Sequence, residues 1–111
     1  VRKTLGNGFL EKVYENALLI EFKRLGLSVV SQKELLVQYR EQTIGQYFAD
    51  IIVNDKIIIE LKTVKKIENI HKMQVLNYLK ATGYELGVLI NFPNDSAWFD
   101  IERIPNFIEN R

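Results

Sequence analysis

The sequence predicts an α/β fold, a mixed sheet with helices packed on it. Three observations lead there. Apolar residues recur at helical spacing near the start, three strand-like segments follow in a meander, and a second helical stretch is succeeded by a compact apolar run.

The elements follow in order. Gly6 and Gly8 bracket a turn, and a helix is predicted from Phe9 to Leu25, with Leu10, Val13, Tyr14, Ala17, Leu18 and Leu25 at helical spacing and Gly26 as its stop. Glu21 lies near the centre of that stripe, as a buried hydrogen-bonded acid or one rimming a cavity. Val29-Val30 is a short extended stretch. Strands are expected at Glu34–Arg40, Ile44–Val53 and Lys56–Val64, with "EQT" as the first turn. The second helix covers Glu68 to Thr82 and stops at Gly83. Glu85–Asn91 reads as a buried strand, "FPNDS" as a loop barred from regular continuation by Pro93, and "AWFDIERI" as a final edge strand before Pro105.

The chain has 111 residues, one domain's worth, and can bury a core. It has no cysteine, which excludes disulfides and thiolate metal sites and suits a reducing cytoplasm. No apolar run approaches the roughly 20 residues that span a bilayer. The opening "VRKTLGNGF" reads like the tail of an earlier element, so part of an N-terminal helix is expected to be missing. A net charge of +1 gives no bulk attraction for polyanions. Binding them would need a local patch such as Lys62, Lys65, Lys66 and Lys72; a solvated face is the plainer reading of those lysines.

The informative stretch is "YFADIIVNDKIIIELKT", where Asp50, Glu60 and Lys62 interrupt two isoleucine-rich runs. Glu60 and Lys62 are two apart on one strand and share a face. Asp50 joins them only in one register. A two-residue turn at Asn54-Asp55 pairs Val53 with Lys56 and sets Asp50 opposite Ile59. A three-residue turn pairs Val53 with Ile57 and sets Asp50 opposite Glu60, with Cβ atoms about 4.5–5.5 Å apart. Close carboxylates resist joint ionisation unless a positive charge sits between them. Lys62 could serve as that charge in a structural ion cluster, and an isolated E-x-K is most often no more than that. The functional alternative is a divalent-metal site of carboxylates and waters that polarises a phosphodiester, with the lysine beside the attacking water.

The helices add polar strips. Gln74 and Tyr78 are one turn apart, with His71 a turn earlier. A position along the site would let them contact phosphate, whereas a helix flank is the ordinary explanation. His71 lacks a second imidazole or thiol partner and is a poor metal-ligand candidate. Glu11 and Glu15 are one turn apart near a helix N-terminus, where acids favour the dipole.

These residues resemble a known family. "GFLEKVY" fits a Gly-x-x-Glu-x-x-Tyr signature at Gly8, Glu11 and Tyr14. "YFAD" and "IIIELK" look like two acidic strand motifs, and "HKMQVLNYLKATG" with "LGVLINF" looks like the helix and strand that follow them. Together they resemble the GxxExxY proteins, a bacterial and archaeal group within the PD-(D/E)XK nuclease superfamily. The resemblance implies a restriction-endonuclease-like αβββαβ core forming a single domain. It implies a Mg²⁺ or Mn²⁺ site at Asp50 and Glu60 with the Leu61 backbone carbonyl as a further ligand. Lys62 would assist the attacking water, Glu11 would supplement the site with Glu15 as a further candidate, and Gln74 and Tyr78 would position substrate. The implied function is hydrolysis of DNA, or of RNA. The alternative is an inactive nucleic-acid- or protein-binding module that retains the fold. "PNDSAW" departs from the pattern, where a glycine is common. The apolar edge strand leaves room for a homodimer seam.

Overall fold

The computed structural model describes residues 10–93 and 99–106. Along them run α1 (Glu11–Arg24), β1 (Val29–Tyr39), β2 (Gln42–Val53), β3 (Ile57–Lys62), α2 (Asn69–Thr82), β4 (Leu86–Asn91) and β5 (Asp100–Pro105). The strands form one sheet in that same order, with β3 and β4 parallel and the other neighbours antiparallel. Helix α2 is the crossover that a parallel pair requires. The mixed sheet flanked by helices is therefore as the sequence predicts. The turn at Gly6 and Gly8, the helix start at Phe9 and most of the loop after Pro93 lie outside the described residues.

Each face of the sheet has its own core. Leu35, Ala49, Ile52, Ile58 and Leu89 pack with Val75 and Leu79 of α2. Ile51, Val53, Ile59, Leu61, Ile90 and Phe92 pack with Tyr14 of α1, whose ring stacks on Phe92 at a centroid distance of 4.1 Å. Consecutive residues such as Ile58 and Ile59 go to different layers because Cβ atoms alternate across a strand. A strand covered on both faces reads as a continuous apolar run, as β3 and β4 do.

Helix α1 packs on a face that shares Tyr14 and Leu18 with the predicted stripe but is rotated from it. Tyr14 and Glu15 are its buried residues, with Leu18, Leu19 and Phe22 packed behind them. Leu10 and Leu25, assigned to the apolar stripe, are 79% and 74% exposed. The contact face is thus rotated, which brings Glu15 inward and leaves Glu21 outside, paired with Arg24 at 2.9 Å.

Strand β1 is one continuous element where the sequence suggests two pieces, because the polar run Ser31-Gln32-Lys33 lies within it. The hairpin turn falls at Arg40-Glu41, both at positive φ, rather than at "EQT". Two left-handed residues match the twist of the flanking strands. At the far end of α2, Gly83 takes the left-handed cap and its N–H donates to the Leu79 carbonyl at 2.8 Å.

Gly87 sits where α2 presses on β4. A Cβ there would run into Val75 Cγ1 and lie 3.3 Å from Leu79 Cδ1. Val75 is stiff about χ1 in a helix, so the strain passes to the helix. Gly87→Ala is expected to destabilise the protein by about 1–3 kcal/mol, read as a lower denaturant midpoint at unchanged slope. An unchanged midpoint would mean that α2 sits more loosely on the sheet than described.

Candidate active site

The turn after β2 settles the register. Asn54 and Asp55 take φ values of 51° and 55°, and the Lys56 N–H donates to the Val53 carbonyl at 3.0 Å. Val53 pairs with Ile57, Ile52 with Ile58 and Ile51 with Ile59, which is the three-residue alternative. Continued by one step, it sets Asp50 opposite Glu60.

The ladder, however, stops at Ile51 and Ile59. Beyond that point β2 is paired with β1 and β3 with β4. Where the strands part, the acids occupy the vacated backbone donors. Asp50 Oδ2 accepts the Leu61 N–H at 2.8 Å, and the Asp50 N–H donates to the Glu60 carboxylate.

A second feature corrects the simple face argument. Ala49 packs in the α2 layer and Ile51 in the α1 layer, although they are two residues apart. On β1, Val29 and Leu35 likewise go to opposite layers despite even spacing. Both strands reverse their alternation where Gln32 lies across from Asp50, and Gln32 has a φ of 50°. The Asp50 side chain is thereby engaged by Gln32 and by the acids of α1. Glu60 is engaged by Tyr47 of the α2 layer. The two carboxylates approach the strand split from different layers instead of standing side by side on one face.

The electrostatics follow from this geometry. Glu60 is only 8% exposed, and burial raises its carboxyl to about 8; Lys62 and the Asp50 N–H oppose the rise, while Glu11 and Glu15 add to it. Burial is also the main cause that raises Glu11 to about 7, with the neighbouring Asp50 charge next. Asp50 is raised by burial against the Leu61 N–H and the Gln32 amide. Glu15 is buried, accepting from Lys12 Nζ at 2.7 Å and Gln32 Nε2 at 2.8 Å. Four acids thus surround the split with Lys62 as the cation common to Glu11, Asp50 and Glu60.

Tyr47 Oη donates to Glu60 Oε1, and its ring stacks on Tyr78 at 3.5 Å between centroids. Gln74 Nε2 donates to Tyr78 Oη at 3.3 Å. The predicted pair Gln74 and Tyr78 is therefore joined to Glu60 through Tyr47, a residue the sequence reading did not single out. Gln32 was also missed. Neither carried a signal, because a tyrosine before an acid and a glutamine in a polar run are ordinary in strands. His71 is accounted for locally, its Nδ1 accepting the Glu68 N–H at 2.9 Å at the start of α2.

Lys62 ends β3, and its position is fixed from behind. The Phe92 N–H donates to the Lys62 carbonyl at 2.9 Å, and the buried Asn91 side chain bonds both the N–H and the carbonyl of Val64. Lys65 and Lys66 are exposed in the following loop, whereas Lys72 pairs with Glu102 at 3.6 Å.

Among the described residues, no three acid or imidazole side chains form a ready metal-holding group. The two carboxylates nonetheless suit a hard cation that keeps most of its waters. Both are raised mainly by burial, with further acids beside them, and a cation at the split would favour their charged forms.

A mixed five-stranded sheet with a helix on each face, its central strands parting around two acids, defines a restriction-endonuclease-like α/β core. The profile of the PD-(D/E)XK nuclease superfamily matches residues 1–104, and the chain belongs to that superfamily. The fold is shared with the crystal structure of SSO0001, at a TM-score of 0.64 and 22% identity over 88% of this chain and 50% of that one. It is shared as well with an alkaline exonuclease, LHK-Exo, from Laribacter hongkongensis, at a TM-score of 0.62 and 15% identity over 86% and 56%. This chain spans about half the length of these structures. No curated protein matches it significantly.

Proposed function

We propose that the protein is a divalent-metal-dependent nuclease of the GxxExxY group that hydrolyses phosphodiester bonds in DNA or RNA. The observation that carries this reading is the meeting of Asp50, Glu60 and Lys62 where β2 and β3 part, with Glu11 brought in from α1. Asp50, Glu60 and the Leu61 carbonyl would hold Mg²⁺ or Mn²⁺. When bound, such an ion polarises the phosphodiester and acidifies water.

The chain's own residues have separate tasks. Lys62 offers an ammonium to the attacking water or to charge developing on phosphorus. Glu11 lies within hydrogen-bond reach of Asp50 and completes the acidic shell. Tyr78 and Gln74 reach substrate from the α2 flank, while Tyr47 fixes the Glu60 carboxyl. A homodimer through the β5 edge would cover Phe99 and Ile101, which are exposed there; sedimentation velocity tests it.

The deciding experiment offers plasmid, single-stranded DNA and RNA to the protein in Mn²⁺ and in excess EDTA, with Glu60→Ala as control. Cleavage of at least one substrate in Mn²⁺, abolished by EDTA and by the substitution, is the expected result. Binding without cleavage of any substrate would replace the nuclease with a binding module on the same fold.

A further inference from the structure

We infer that Gln32 is a positioning residue for Asp50, acting through a clamp that also holds the buried Glu15. The inference deepens the nuclease reading and rests on it. Gln32 is the one position of β1 between Val29 and Val37 missing from the regular pairing with β2, and its left-handed backbone is uncommon for glutamine. Such a conformation is unfavourable for a residue with a Cβ and persists only where its surroundings hold it.

The strain has an identifiable consequence. Regular alternation after Ser31 would send the Gln32 side chain to the α2 layer. The left-handed turn sends it instead to the α1 layer, where Nε2 donates to Glu15 Oε1 at 2.8 Å and to Asp50 Oδ1 at 3.3 Å. An amide nitrogen has two protons, and both are used. The facing oxygens, as carboxylates, are acceptors only, so the amide must present nitrogen. Asp50 is then held by β1 through Oδ1 and by the Leu61 N–H through Oδ2. Lys12 secures the other oxygen of Glu15, which anchors the clamp to α1.

The test compares wild type with Gln32→Gly and Gln32→Met by calorimetric titration with MnCl₂, thermal melting and cleavage kinetics. Gln32 is exposed, so neither variant opens a core cavity. Glycine accepts the left-handed backbone but lacks the amide, so Gln32→Gly is expected to melt no lower than wild type. Both variants should bind Mn²⁺ about 10–100-fold more weakly, and kcat should fall while KM for nucleic acid stays the same. A purely conformational role for Gln32 would leave Mn²⁺ binding by Gln32→Gly unchanged, and that outcome overturns the inference alone. Failure of the wild type to bind Mn²⁺ would overturn the nuclease reading and the inference with it.

Discussion

Glu60→Gln is expected to reduce phosphodiester cleavage on the order of 10³-fold or more while leaving the fold intact. Glutamine matches glutamate in shape, and its carbonyl oxygen can still accept from Tyr47 Oη and from the Asp50 N–H. What it lacks is the charge. Alanine would also remove the acceptor that faces Tyr47, so a loss of activity could then be ascribed to disturbed packing at the Tyr47–Tyr78 stack. The amide separates the two causes. Glu60 is buried, and burial works against its ionised form. Metal-free Glu60→Gln should therefore be at least as stable as wild type at pH 8. Lost cleavage together with undiminished stability is the signature of a group retained for chemistry. Cleavage at the wild-type rate would remove Glu60 from the site.

Stability of the metal-free protein is expected to fall as pH rises from about 5 to above 8, the reverse of the usual behaviour of ion-paired acids. The sign follows from the raised Glu60 carboxyl. Below its ordinary value of 4.5, Glu60 is protonated in both folded and unfolded chains. Between 4.5 and about 8 the unfolded chain releases a proton that the folded chain keeps, so stability declines through that window and levels off above it. The full Glu60 contribution is roughly 2–5 kcal/mol. Glu11, raised to about 7, and Asp50 act in the same direction. A cation that prefers the charged carboxylates should reverse the trend, so the gain in Tm on adding Mg²⁺ should be larger at pH 8 than at pH 5.5. Melting in EDTA across this range, with Glu60→Gln alongside, checks both parts. A wild-type profile that rises with pH would show that the acids at the split are not desolvated as described.

Much of this site is legible in the chain, for physical reasons. An acid, a second acid and a lysine set into isoleucine-rich strands stand out because charged groups are rarely placed in buried runs without partners. The turn "ND" followed by Lys56 narrowed the register to two alternatives. The face of α1 was harder to read. Its apolar residues are spread around the helix, so periodicity did not distinguish the layer holding Glu15 from the side open to solvent. Strand alternation fails at Asp50, the point that matters for the site. A period of two holds while every residue is extended, and the left-handed backbone of Gln32 breaks it on β1. No composition signal marks that position, since glutamine is neither glycine nor asparagine.

By itself, then, the sequence determined the order of elements, the apolar strands of the two-layer core and the identity of the acids and lysine at the split. These are local properties, written in spacing and side-chain chemistry. Only the tertiary structure decided that β2 and β3 separate after Ile51 and Ile59, that Glu15 turns inward, and that Tyr47 and Gln32 brace the two acids from opposite layers. Those outcomes depend on which helix covers which face and on where one strand reverses its side chains. They are set by packing between segments far apart in the chain, and no local pattern encodes them.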